Sequence, residues 1–92
     1  MSDPGYLRRW VAAQLRVRLR RAGKTMTGAA SEMGKQANFL TRKLIPGAPA
    51  KRGLTIDDLE DLCGRVLQID PREIFTAPIP DSEIAAEDEW KD

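Results

Sequence analysis

Apolar residues recur four apart at Leu7, Val11, Leu15 and Leu19, and arginines fill the positions around them. Only an α-helix brings such a series onto one face. Trp10 and Ala22 fall close to the same stripe, and Gly23 is placed to end the helix. A stripe of this kind is stable only when something covers it. In a chain of 92 residues, enough for one domain with a single core, the cover has to come from the remaining short apolar segments.

Those segments also read as helices. A second is predicted to start at Thr25 or Thr27 and to run through GAASEM to Gly34, with Ala29, Ala30 and Met33 as a small-residue face that permits close packing. A third runs from about Ala37 to Leu44. The stretch IPGAPAKRG, 45–53, has two prolines, two glycines and no periodicity, and reads as a loop. Thr55 is an N-cap with Asp58 three residues on, and Leu59, Leu62, Cys63 and Val66 give the stripe of a fourth helix. DPREIF opens a short fifth helix, with Asp70 capping and Pro71 in the first turn. There is no strand alternation and no repeat, so the fold class is all-α. After Phe75 the composition shifts to six acids, one lysine and two prolines. The chain therefore divides into a helical domain over 1–76 and an acidic C-terminal tail over 77–92, expected to lie outside the core.

Charge is unevenly spread. Residues 1–53 carry a balance of +10 and residues 54–92 a balance of −9. The basic half predicts a polyanionic partner; the competing reading is a solvated surface whose halves attract one another. One cysteine and no histidine exclude a disulfide framework and leave no plausible zinc site. Neither a cofactor nor a small-molecule substrate is expected. Asp57, Asp58, Glu60 and Asp61 have no partnering histidine, serine or metal set and crowd a helix N-terminus, where negative charge is stabilising. No catalytic residue is predicted. Cys63, on an apolar stripe, reads as a buried small hydrophobe. The apolar runs are too short to span a membrane and no signal-peptide core is visible, so a cytoplasmic protein is expected.

The third helix carries the functional reading. Leu40 and Leu44, four apart, point one way, while amides, a hydroxyl and cations point elsewhere. Joined to the second helix around Gly34, it makes a helix–turn–helix whose second helix suits the major groove of DNA. Asn38 and Arg42 are i, i+4 neighbours, and geometry pairs an amide with adenine and a guanidinium with guanine. Gln36, Ala37 and Thr41 complete the base-readout candidates. Lys35, Lys43, Lys51 and Arg52 bracket the helix with positive charge for phosphates.

At this point the chain resembles the lambda-repressor-like, Cro/repressor helix–turn–helix domains of phages and bacteria, over about residues 7–75. The carriers are Thr25 and Ala30 nine and four residues before Gly34, then NFLTRKL, then LTIDDLEDLCGRVLQIDPREIF. FLTRKL is similar to a version common in regulators of actinobacteria and their phages. The resemblance implies a compact five-helix domain that binds specific double-stranded DNA as a transcription regulator, such as a phage or prophage repressor or Cro-like protein. It also implies a dimer on two half-sites and a place in the (host) cytoplasm, and it adds Lys24 and Thr25 to the phosphate candidates. Three positions depart from the pattern. Met26 stands where a phosphate-contacting glutamine is frequent, Ala29 replaces a leucine, and Lys35 replaces a hydrophobic residue after the turn glycine. Two other uses of the same fold stay open: the antitoxin of a toxin–antitoxin pair, and a helical interaction module that never touches DNA. The tail is expected either to compete with phosphate for the basic face, as a tethered polyanion, or only to add solubility or dock through Ile84 and Trp90 as part of a dimer contact.

Overall fold

Residues 5–45 and 54–88 are described by a computed structural model of the chain. Among the described residues all regular structure is helical: α1 (Tyr6–Arg21), α2 (Met26–Glu32), α3 (Phe39–Leu44), α4 (Ile56–Asp61), α5 (Glu73–Thr76) and α6 (Asp81–Glu87). A π-helical segment, Leu62–Leu67, continues α4 without a break. The loop expected at 45–53 falls outside the described residues from position 46 onward, and Lys51 and Arg52 with it.

The first helix ends as its glycine requires. Gly23 takes φ 71°, its N–H donates to the Arg20 carbonyl and the Lys24 N–H donates to Leu19, which satisfies two of the carbonyls that a helix end orphans. Gly34 repeats the motif at φ 74°, with its own N–H on Ser31 and that of Lys35 on Ala30. The left-handed position there turns the chain sharply between α2 and α3. Thr25 caps α2 by accepting from the Gly28 N–H at 2.9 Å, and Thr55 and Asp58 form a reciprocal capping box at the start of α4. At the end of the π segment Gln68 occupies the left-handed region at φ 56°.

One core joins these elements. Val11, Leu15 and Leu19 of the predicted stripe are buried with Met26, Ala29, Ala30, Met33, Leu40, Leu44, Leu62, Cys63, Val66 and Ile74. Leu7, the first residue of the stripe, is instead 59% exposed. Cys63 is fully buried, and burial pushes its thiol up to about 11, so it stays protonated and inert.

The largest departure from the sequence reading concerns the acidic segment. Residues 77–88 do not stand outside the core: they fold back along the flank of α1 that looks solvent-facing in sequence. Ile79 is buried, and Gln14 holds its backbone at both ends, Nε2 donating to the Ile79 carbonyl at 2.8 Å and Oε1 accepting from the Ile79 N–H at 2.9 Å. Gln14, Arg16 and Val17 are consequently buried alongside the expected stripe. Pro80 stands just before α6, where a proline costs nothing because the missing N–H would be orphaned anyway. Arg21 Nη2 then meets Glu83 at 2.7 Å and its Nε meets Glu87 at 2.8 Å. Arg16 clasps Asp88 with two bonds of 2.8 and 2.6 Å and donates a third to the Leu44 carbonyl. Glu83, Glu87 and Asp88 are thus bound to α1 arginines rather than forming a free polyanion, and hydrogen bonding from Arg21 holds the Glu87 carboxyl below its ordinary range. Part of the charge asymmetry is spent inside the chain. Trp90 lies outside the described residues.

Candidate nucleic-acid interface

The third helix is shorter than its sequence suggests. It starts at Phe39, not Ala37, because the Gln36 carbonyl accepts from the Phe39 N–H at 3.0 Å and closes a turn first. Ala37 and Asn38 belong to that turn, and Asn38 is the N-cap residue, its carbonyl accepting from the Arg42 N–H. The i, i+4 relation between Asn38 and Arg42 therefore survives across the first helical turn. Leu40 and Leu44, at 0 and 1% exposure, fix α3 to α1 and α2 and turn the opposite face outward.

On that outward face Gln36, Ala37, Asn38 and Arg42 are exposed and Thr41 is half-buried. Arg42 has no ion-pair partner among the described residues. The structure thus brings all five base-readout candidates onto one turn and helix. The cations around them differ more. Lys35 is exposed and stands 5.4 Å from the Phe39 ring centre. Lys24 reaches both oxygens of Glu32 at 3.1 Å, and Thr25 is spent on capping α2.

Lys43 is turned inward. Its Nζ lies 2.7 Å from Asp58 Oδ2 and 4.6 Å from the Phe39 ring centre, with side-chain exposures of 16% and 13% for the pair. The bond ties α3 to the start of α4, so Lys43 positions the helix more than it offers charge to a phosphate. Nothing in the spacing of residues 43 and 58 signals this pair, because the sequence between them carries no periodicity that says how α4 returns.

Burial acts against the charge on Asp58, yet the Lys43 ammonium and the Thr55 amide outweigh it and hold the carboxyl below its ordinary value. A carboxyl depressed on folding contributes stability that is present above its unfolded value near 3.8 and lost as the pH falls through the folded value. Asp58→Asn is therefore expected to flatten the acid limb of the stability profile below pH ~4. Lys43→Ala, costing on the order of 2 kcal/mol, removes the largest of the influences that lower the carboxyl but leaves the Thr55 hydrogen bonds in place. The Asp58 carboxyl should then titrate higher than in the parent when followed by NMR. An unchanged titration shows that Lys43 is not what charges Asp58.

Among the described residues no three or more His, Cys, Asp or Glu side chains are grouped to hold a metal ion, and no helix is long and apolar enough to cross a membrane. Comparison with protein-family models, curated proteins and solved structures gives no match.

Proposed function

We propose that the chain is a lambda-repressor-like, sequence-specific double-stranded DNA-binding regulator of transcription, of the phage or prophage repressor or Cro-like kind, working in the cytoplasm by occupancy rather than catalysis. In this reading α2, the Gly34 turn and α3 form the helix–turn–helix, and α3 enters the major groove. The observation that carries it is the construction of α3: two fully buried leucines seat it, and the exposed Asn38 and Arg42 project one turn apart, the guanidinium without an ion-pair partner among the described residues. Gln36, Ala37 and Thr41 flank them. Lys24 and Lys35, with Lys51 and Arg52 from the loop, supply backbone contacts that give affinity without sequence information.

Selection of bound sites from a random duplex pool tests the reading directly. An enriched motif is expected, with log affinity falling against log salt by about 0.9 per neutralised phosphate. Arg42→Ala and Asn38→Ala should each lose about 1–3 kcal/mol on the enriched site and relax preference at one base pair. Lys35→Ala should weaken all sequences alike. No enrichment, together with a flat salt response, replaces the proposal with the interaction-module reading.

A further inference from the structure

Among the described residues, Arg18 Nε is a buried side-chain donor with no hydrogen-bond acceptor. A buried guanidinium N–H left unpaired is costly, so it marks a place that calls for an acceptor. Nη2 of the same guanidinium donates to the Ala77 carbonyl at 2.8 Å. No carboxylate pairs with Arg18 among the described residues. The side chain lines a groove of about 280 Å³ whose other walls are Arg21, Ala22, Leu67, Ile69 and Ile79.

The walls of this groove are preformed. Ile79 is clamped by Gln14 through both its N–H and its carbonyl. Leu67 and Ile69 flank Gln68, whose left-handed φ of 56° turns the chain, and the Ile69 N–H donates to the Cys63 carbonyl at 2.9 Å. Both side chains pack on the core yet stay half-buried, so each has apolar surface left to offer a ligand. Arg21 also stands at the groove, but Glu83 and Glu87 meet its charge at 2.7 and 2.8 Å. Arg18 therefore supplies the uncompensated positive charge, and the two glutamates disfavour a dianion.

We infer that this groove binds a small amphipathic monocarboxylate, its head on Arg18 and its apolar body against Leu67, Ile69 and Ile79. A carboxylate accepts charge-assisted hydrogen bonds from a guanidinium, and Nε is the donor left for it. The volume lies just under the range of drug-sized pockets, which selects a short ligand. Because Ile79 forms one wall, a ligand fits this site only while residues 77–88 are docked on α1, and its binding stabilises that docking. None of the lining residues belongs to α2 or α3, so the inference goes beyond DNA reading and does not rest on it.

Octanoate titrated into the isotope-labelled full chain without DNA, followed by NMR, is the test. The Arg18 Nε–H and the Ile69 and Ile79 amides should shift together and saturate, with a Kd on the order of 0.1–1 mM. The melting temperature should rise with ligand concentration. Hexanoate should bind roughly fivefold more weakly, because it buries less apolar surface. Octanol, octylammonium and inorganic phosphate should each bind at least ~tenfold more weakly than octanoate, since each lacks either the carboxylate or the apolar body. Arg18→Met, which keeps an apolar stem and removes the guanidinium, should lose about tenfold in octanoate affinity. No saturable shift up to ~10 mM octanoate, octanol or phosphate binding as tightly as octanoate, or undiminished affinity in Arg18→Met would overturn the inference. The comparison among probes uses the parent chain, so it decides the matter even where Arg18→Met does not fold.

Discussion

Asp88→Ala is expected to lower the stability of the fold by about 3 kcal/mol. The side chains of Arg16 and Asp88 are 7% and 19% exposed, which places the pair with buried rather than surface ion pairs. Surface pairs are worth little because water replaces them, whereas breaking a buried one leaves an uncompensated charge. The partial exposure of Asp88 puts the cost at the lower end of that range. For a domain of this size it corresponds to a fall in Tm on the order of 10–20 °C. The loss should also be felt in α3, because the same guanidinium donates to the Leu44 carbonyl, one of the orphaned acceptors at the helix end. Hydrogen exchange should rise at the Leu44 and Ile45 amides more than in α4. Asp88→Asn, which keeps an acceptor, should cost less. A change below ~1 kcal/mol in thermal or urea unfolding would mean that solvent replaces Asp88 without penalty.

The contrast between the two flanks of α1 explains what could be read in advance. Leu15, Leu19, Leu40, Leu44 and Cys63 announce their burial through spacing and hydrophobicity, and Gly23, Gly34 and Thr55 mark helix ends by chemistry that few other residues supply. The second flank is built from side chains whose usual place is solvent. Gln14, Arg16 and Arg21 are ordinary surface residues until an extended backbone and three carboxylates arrive from positions 79–88. That arrival has no periodic signature: Ile79 is one buried apolar residue between prolines, and the acids look like a solvated run. The exposure of Gln36, Ala37, Asn38 and Arg42 was legible in composition and turn position. The inward swing of Lys43 was not, because its partner Asp58 lies fifteen residues on in sequence and was already accounted for by its capping role.

Gln14→Leu tests the other end of the docked segment and is expected to cost about 2–4 kcal/mol. Leucine is close to glutamine in size and more apolar, so hydrophobicity alone would make the change neutral or favourable at a site 1% exposed. The loss comes from Ile79, whose N–H and carbonyl both pair with the Gln14 amide and would both be left unpaired, since leucine offers no donor or acceptor. Gln14→Glu discriminates further. It retains an acceptor for the Ile79 N–H but replaces the donor with a second acceptor facing the Ile79 carbonyl, so it should be destabilising at neutral pH and partly recover as acid protonates the new carboxyl. Combined with Asp88→Ala, Gln14→Leu reports whether residues 77–88 dock as one unit. If they do, the first substitution already releases the segment and the second costs less than it does alone, a departure from additivity above ~0.5 kcal/mol. Costs that simply add would mean that the Ile79 bridge and the Asp88 clasp hold α1 independently. In that case residues 77–88 open from either end without loosening the other, and the loosening at Leu44 follows Asp88 alone.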